Sequence, residues 1–313
     1  MVKQRSLKVL LKLLNRRFWI LFLLFNTQLK SQVGLFYDGL NEDCYLNPSN
    51  TLLEKESTIK LKYQNDYPDI DDSFNLIYFD IAYKTSKLWS VNFQLLNDYQ
   101  TRNQNELDLR FGTGKRFAYK NFHLDASVLF NYNSYRVVID PSSQAVGELD
   151  WGDSNQRNWD LPIGLNLSYL INRNDSLNES SITAGYFRLN TFEPDNSSIA
   201  SGSSRKPMIQ GYSLAFKRYY QIEKNIFETS VFSTYLFSRI SWIYNIGVEQ
   251  LYQINEDKNL AIAFNYFSNG TTGISFILSI KNIEVNLSKG MNIISNTQYL
   301  SNPYSALGLK LKL

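Results

Sequence analysis

Hydrophobic and polar residues alternate along most of the chain from Ser57 onward, with a period of two. About fourteen segments of roughly 6 to 12 residues show this alternation, which is typical of β-strands with one apolar face. Clear examples are 89–95, 122–132, 163–169, 242–248 and 274–280. Beyond the first 30 or so residues no helical periodicity is sustained. The pattern therefore predicts an all-β protein.

The apolar face of each strand can point inward, as in a soluble sandwich or lipocalin, or outward toward lipid. About fourteen strands would enclose a lumen wider than small side chains can fill. The opposite face is rich in Ser, Asn, Gly and Thr, and the apolar face carries aromatic residues at many strand ends. These features favour a transmembrane, antiparallel, up-and-down outer-membrane β-barrel over residues 57–313, located in the cell outer membrane.

The predicted connections differ in length on the two sides of such a barrel. Short connections are expected on the side where the chain enters, at about 85–88, 119–121, 172–179, 221–224, 255–259 and 281–282. Longer ones are expected on the far side, at about 65–73, 99–104, 133–160, 190–207, 238–241, 267–272 and 289–303. Short periplasmic turns and long external loops are typical of outer-membrane barrels.

The chain ends in the alternating segment "ALGLKLKL", residues 306–313. A closed barrel has no free edge, because unpaired peptide groups in lipid are strongly unfavourable. The last strand is therefore predicted to pair with the first. Its leucines should face lipid, and Lys310 and Lys312 should face the lumen or the periplasmic rim.

The first residues have the order of a secretory signal. Basic residues between Lys3 and Arg17 precede the apolar run "FWILFLLF", residues 18–25, which is too short to span a membrane. We predict a signal peptide over residues 1–31 and a pre-barrel segment over residues 32–56. That segment is expected to plug the lumen or to meet periplasmic partners.

Composition excludes several classes of function. The net charge is +3, from 32 basic and 29 acidic residues, and no basic run accompanies the aromatic residues, so nucleic acid is not a predicted partner. The single cysteine, Cys44, excludes an internal disulfide. With one histidine, His123, a zinc site is not expected, and no other metal or cofactor site is predicted.

No residue is predicted to be catalytic. His123, Asp125 and Ser127 share one strand face, but residues i and i+2 lie about 7 Å apart, too far for a hydrolytic triad of short side chains. A polar lumen wall accounts for all three. Gly112 and Gly114 lack phosphate-loop spacing and are interpreted as sites where a barrel strand bends.

Three segments resemble the PorP/SprF family of outer-membrane proteins. They are "YLNPSN" at 45–50, "DW…NWDLPIGLNLSYLI" at 150–171, and 264–313, in which Lys281, Asn282, Ile283, Val285 and Ser288 stand in the places of a family motif. Two family motifs are replaced here, by "VNLSKG" at 285–290 and "YSA" at 304–306, so the resemblance is to a divergent member. It implies an outer-membrane barrel associated with type IX protein secretion and gliding motility.

The resemblance also implies partners: the secretion machinery and secreted, adhesin-like surface proteins, whose secretion or surface attachment the barrel would assist. The predicted external connections 133–160 and 190–207 are candidates for contact with such cargo. Trp151 and Trp159 are the candidate partner-binding residues, since exposed aromatic residues often carry interface energy. A passive, porin-like solute channel is the alternative, and a barrel hydrolase using His123 is the weakest of the three hypotheses.

Overall fold

The computed structural model describes residues 44–66, 74–101, 104–137, 154–171, 180–189, 208–222, 225–237, 242–255, 257–268, 270–292 and 304–313. The predicted signal peptide, residues 1–31, and the first part of the pre-barrel segment lie outside these ranges. Within them the chain forms one short 3₁₀ helix, Pro48–Leu52, and fifteen strands. No helix of the described residues has the length and apolar character needed to cross a membrane.

The strands follow one another along the chain with few residues between most of them. They are β1 Thr58–Asp66, β2 Phe74–Ser86, β3 Trp89–Thr101, β4 Gln104–Tyr119, β5 Phe122–Val137, β6 Ser154–Asp160, β7 Ile163–Ile171, β8 Ser180–Leu189, β9 Ile209–Ile222, β10 Asn225–Phe237, β11 Trp242–Asn255, β12 Lys258–Phe267, β13 Thr271–Ile280, β14 Ile283–Asn292 and β15 Tyr304–Lys312.

The sheet closes on itself. Strands that follow one another in sequence pair antiparallel, except that β6 and β7 both pair with β5, and β1 pairs with both β2 and β15. The seam between β1 and β15 is continuous from Thr58↔Lys312 to Asp66↔Tyr304. The terminal strand therefore pairs with the first, as the alternation in residues 306–313 predicts. Closure through this seam leaves neither β1 nor β15 with an open edge, and pairing of strand edges is the condition for a sheet to lie in hydrocarbon.

Strands β6 and β7 are two parts of one strand position in the barrel wall, and each such position is called a stave here. Both pair with β5, through Asn131↔Asp160 and Val128↔Ile163, and the register is unchanged between these two pairs. Pro162 lies between them. Proline has no N–H group to donate to the strand pairing, but the Pro162 carbonyl oxygen still accepts a hydrogen bond from the Leu129 amide at 2.9 Å. The barrel thus has 14 staves, which confirms the predicted fold class and strand number.

The outer surface is apolar around the barrel. Large aliphatic and aromatic side chains at alternate positions of every long strand are exposed, among them Val231 (46%), Phe264 (54%) and Leu307 (49%). Aromatic rings meet each other at both ends of the strands, as in Tyr186–Tyr212 at one end and Tyr220–Phe227 at the other. An apolar band between aromatic girdles is the exterior of an outer-membrane barrel, so this chain is located in the outer membrane.

The connections show the predicted asymmetry. At the end where the chain enters, called the periplasmic end, they are short apart from residues 172–179; at the opposite, outer end they include 138–153, 190–208 and 293–303. One predicted boundary is wrong. The connection expected at 133–160 is limited to 138–153, because β5 extends to Val137 and residues 154–160 form β6. The segment "SNQRNWD" has almost no apolar residue, so its pairing leaves no alternation to detect.

Candidate functional site

Residues 44–54, here called the plug segment, lie inside the lumen. The 3₁₀ helix Pro48–Leu52 within it is buried at every residue and lies against four adjacent strands of the wall, β3, β4, β5 and β7. Asn47 caps this helix by accepting a hydrogen bond from the Ser49 amide at 3.1 Å. Proline follows Asn47 directly, where its missing N–H costs no hydrogen bond. The local sequence "NPSN" therefore defines the compact turn that fits within the barrel.

Amide side chains join the plug segment to two parts of the wall. Asn47 donates to the Asn166 side-chain oxygen at 2.8 Å, and Asn166 donates in turn to the Asn50 side chain at 2.9 Å. On β3, Asn92 donates to the Thr51 hydroxyl at 3.0 Å. Residues 47–50 and 166 come from two of the three segments that resemble the PorP/SprF family, and these segments are in direct contact.

A second group of contacts holds Tyr45. The Arg110 guanidinium lies 3.6 Å from the Tyr45 ring centroid and donates to its carbonyl oxygen at 2.6 Å. The Tyr45 hydroxyl donates to the carboxylate of Asp108. Burial, together with this neighbouring carboxylate, raises the pKa of Tyr45 although Arg110 acts in the opposite direction, so the phenol stays protonated and remains a donor.

The third contact joins the plug segment to the seam of the barrel. The Glu54 carboxylate lies 2.7 Å from the Lys60 ammonium on β1 and 2.9 Å from that of Lys310 on β15. Lys60 and Lys310 are opposite each other in the register. Burial alone would raise the pKa of Glu54, but the two ammonium groups outweigh it and hold the pKa well below its usual range. The seam lysine predicted to face the lumen, Lys310, does so.

Glycines on the inner wall make room for the plug segment. A Cβ on Gly164 would overlap Asn47 and lie 2.8 Å from the Ser49 amide nitrogen, and one on Gly114 would lie 2.9 Å from Leu52. Such separations are too short for any side chain. Gly114, interpreted from sequence as a site of strand bending, therefore also leaves the space in which Leu52 of the plug segment packs against the wall.

The contact of Glu54 is expected to hold the plug segment in place. Glu54→Gln leaves two ammonium groups without a counter-ion and should make the position of the plug segment in the lumen less stable by roughly 3 kcal/mol. This value is the low end for breaking a buried ion pair, and it applies because the Glu54 side chain is 14% exposed. Backbone amides of residues 44–54 should then exchange hydrogen faster, as measured by mass spectrometry. Glu56→Gln, at an exposed position in the same linker, is the matched control and should change nothing.

The pH dependence of this contact has a defined sign. The pKa of Glu54 is lower in the folded protein than in the unfolded chain, so its contribution is complete above the ordinary pKa and is lost only as pH falls through the lowered value. Once the intrinsic slowing of amide exchange at lower pH is corrected for, the wild-type plug segment should therefore be as well protected at pH about 5 as at pH 7, since an ordinary glutamate titrates near 4.3. Release of the segment at pH 5 would contradict the arrangement.

The outer half of the lumen contains an apolar cluster that the sequence analysis did not anticipate. Inward side chains from opposite walls meet there and bury one another; the cluster comprises Tyr45, Leu46, Leu76, Tyr78, Leu96, Phe187, Leu189, Ile209, Leu236, Phe267, Tyr304 and Ala306. The expectation of a polar wall holds nearer the periplasmic end and, toward the outer end, on β3–β5, where Asp98, Asp108 and Asn133 are buried. In the segment "NLIYFDIAY" both faces carry apolar residues, so alternation does not show which of these residues point into the lumen.

The residues examined for hydrolytic chemistry have structural contacts. Asp125 is buried and accepts two hydrogen bonds of 2.7 Å from the Arg116 guanidinium. The Ser127 hydroxyl lies 3.4 Å from the Thr113 carbonyl oxygen, to which it donates. Among the described residues, no group of three or more His, Cys, Asp or Glu side chains could hold a metal ion.

Of the two candidate partner-binding residues, the structure describes one. Trp159 lies in β6 rather than in a connection, is 55% exposed on the outer surface, and packs between Phe130 and Tyr132 with ring centroids 4.8 and 4.7 Å apart. This is the environment of a membrane-interface aromatic residue. Trp151 lies outside the described residues. A partner-binding role for either tryptophan stays a prediction.

Comparisons with known proteins give structural neighbours only. No family model matches the chain. No curated protein matches it. Among solved structures it is similar to the toluene transporter TodX of Pseudomonas putida (TM-score 0.45, 12% identity, 88% of this chain and 93% of that chain). It is also similar to the KdgM porin (0.39, 9%, 82% and 99%) and to CdiB from Acinetobacter baumannii (0.46, 9%, 83% and 60%).

Proposed function

We propose that this protein is a passive outer-membrane channel for small solutes and that residues 44–54 hold it closed. The observation that carries the proposal is the position of the plug segment: it lies inside the lumen and precedes the barrel wall in sequence, so no strand pairing holds it. The segment can therefore leave the lumen without disturbing the closed sheet.

The size of the barrel supports a conducting state. Eight strands give an interior that side chains just fill, whereas barrels of 16 to 18 strands leave an aqueous channel. A barrel of 14 staves lies between these limits, and its interior is filled here partly by the plug segment itself. Removing that segment leaves a space that water can enter, bordered by polar side chains such as Asn92, Gln94 and Asn166.

The contacts of the plug segment are of a kind that water can replace. Amide–amide hydrogen bonds such as Asn47–Asn166 contribute only about 0.5–1.5 kcal/mol each, because both groups bond to water once separated. The Glu54 contact faces two lysines at the periplasmic end, where the carboxylate and both ammonium groups can be rehydrated. A segment held in this way can alternate between seated and displaced positions.

Recordings from wild-type protein in planar lipid bilayers test the channel. We expect a mostly closed baseline with brief openings, because the seated state dominates. Proteoliposomes should admit small solutes slowly and in a size-dependent manner. Complete absence of openings, with no solute entry above that of empty vesicles, would overturn the proposal.

A second candidate function is the secretion-associated role that the PorP/SprF resemblance implies, in which the barrel assists secretion or surface attachment of adhesin-like proteins. One observation favours it: the three segments that carry the resemblance meet at the plug segment, through Asn47, Asn166 and Lys310. A barrel that binds partners needs no open lumen. Absence of conductance is therefore the result that would favour this candidate.

The external connection is the place to test the second candidate. Deletion of residues 140–151 leaves β5 and β6 complete with four residues to turn between them, whereas deletion of the longer range 133–160 would remove paired strand residues. If the connection binds secreted proteins, the shorter deletion should spare membrane insertion and reduce their retention at the cell surface. If secreted proteins are retained at the cell surface as in the wild type, this connection does not bind them.

A further inference from the structure

Three neighbouring strands place polar side chains on one patch of the inner wall. Thr234 on β10 is directly opposite Asn245 on β11. Asn265 on β12 is opposite Gly247, one inward position further along β11. The side chains of Thr234, Asn245 and Asn265 are each at most 3% exposed. We refer to these three residues as the amide patch.

The polar atoms of the amide patch have no hydrogen-bond partner among the residues that the structure describes. These atoms are the Thr234 hydroxyl and both side-chain polar atoms of Asn245 and of Asn265, and all of them are buried. Unpaired buried amides are unfavourable and uncommon in folded proteins. Asn47 and Asn166 differ, because they bond to each other. The amide patch therefore has an unused capacity to donate and accept hydrogen bonds.

Apolar residues surround the amide patch on the same face. Leu236 and Phe267 lie toward the outer end, within the apolar cluster, and Phe232 and Ala263 lie toward the periplasmic end. All four side chains are buried. A molecule that reaches the patch thus meets hydrogen-bonding groups in the middle and hydrocarbon on both sides.

The described charges on this face lie further toward the periplasmic end. Glu228 on β10 is paired with Lys217 at 2.7 Å, and Glu249 is the acidic residue on the inward face of β11. Neither is at the level of Thr234. An ionised group placed at the amide patch would lack a counter-ion there, and burial of an unpaired charge is strongly unfavourable. The patch is therefore suited to an uncharged group.

The wall around the amide patch is kept flat by glycines. A Cβ on Gly211, Gly247 or Gly290 would overlap the ring of Phe187, Phe232 or Tyr304, respectively. Each ring can therefore lie against the wall instead of projecting into the lumen. The 3₁₀ helix of the plug segment contacts β3, β4, β5 and β7, so β10–β12 lie on another part of the wall.

From these observations we infer that the amide patch is a binding site for a small, uncharged amphipathic molecule, such as an alcohol or an amide with an apolar body. Thr234, Asn245 and Asn265 would bond its polar group, and Leu236 and Phe267 would pack against its apolar part. The inference rests on the proposed channel function, because it names the class of solute that enters the lumen.

Binding of three six-carbon probes to the wild-type protein in detergent tests this site by saturation-transfer NMR. Hexan-1-ol has an uncharged hydroxyl, hexane has no polar group, and hexanoate is ionised at pH 7. Hexan-1-ol should bind more tightly than either by about tenfold, the equivalent of one or two net hydrogen bonds. Equal binding of hexane, or tighter binding of hexanoate, would overturn the inference.

The double variant Asn245→Leu/Asn265→Leu tests the same site from the protein side. Hexan-1-ol should bind it about tenfold more weakly than wild type, while its melting temperature should rise because unpaired buried amides are removed. Asn259→Leu, on the same face of β12 but nearer the periplasmic end, is the matched control and should bind hexan-1-ol normally. Unchanged binding by the double variant would overturn the site.

The bilayer recordings and the binding measurements test the channel and the binding site independently of each other. A barrel that opens in bilayers but shows no preference for hexan-1-ol overturns the site and leaves the channel. A barrel that never opens but binds hexan-1-ol selectively overturns the channel and retains the site as a binding pocket. If the double variant fails to fold, the comparison of the three probes on the wild type decides.

Discussion

Deletion of residues 44–54 is expected to convert a mostly closed barrel into a steadily open one. Mean conductance in planar bilayers should rise by on the order of tenfold, because a barrel of this strand number is wider than its own side chains fill. The deletion removes Tyr45 and Leu46 from the apolar cluster and breaks the contacts of Asn47 and Glu54. No strand residue is lost, so the sheet can still close through β1 and β15.

The matched control removes a segment of equal length from the outer end, residues 138–148. This deletion leaves every described strand and the plug segment complete, so the closed baseline should persist. Folding of both variants is checked by their heat-dependent migration in detergent gels. If a folded barrel lacking residues 44–54 stays as closed as the wild type, the apolar cluster alone seals the lumen and the proposed role of the plug segment is wrong.

Val248→Lys is expected to give the largest loss of stability on the outer surface. Val248 lies near the middle of β11 and is 40% exposed. A lysine there would face the hydrocarbon midplane, which costs about 2–4 kcal/mol in an outer-membrane barrel. Equilibrium unfolding by guanidinium in lipid vesicles, followed by tryptophan fluorescence, measures the difference.

Ile254→Lys provides the control on the same strand. Ile254 is 50% exposed and lies at the periplasmic end of β11, where a lysine reaches the headgroup region and costs about 0–1 kcal/mol. The two variants make the same kind of change at different depths. Equal loss of stability at both positions would show that the apolar exterior does not sit in a bilayer.

The barrel itself could be predicted from sequence because its cause is local. Alternation with period two, as in residues 122–132, indicates that one face of a strand is apolar. The alternating leucines of residues 306–313 indicate a lipid-facing strand, and such a strand needs a pairing partner on each side. The structure pairs Thr58 with Lys312 accordingly. Where local alternation is absent, as in β6, the sequence pattern predicts a connection instead of a strand. Pairing there depends on β5 rather than on its own side chains.

The interior could not be predicted in the same way because its contacts join residues far apart in sequence. Asn47 and Asn166 have no shared local pattern, and neither do Glu54 and Lys310. One signal was present: Gly114 and Gly164 interrupt otherwise regular inward positions, and each makes room for the plug segment. The amide patch gives no such signal, since inward asparagines are common on the polar face of any barrel strand.

Labelling of Cys44 tests the central claim most directly, because it is the single cysteine of the chain and lies in the plug segment. It is 2% exposed, and its carbonyl accepts from Gln94 at 3.0 Å within the lumen. The matched control carries Cys44→Ala and Lys87→Cys, which places the thiol in an exposed periplasmic turn. In folded barrels in proteoliposomes, a water-soluble maleimide should label the control quickly and Cys44 far more slowly, because Cys44 is reached only during brief displacements of the plug segment. Labelling of Cys44 as fast as the control would show that residues 44–54 do not occupy the lumen.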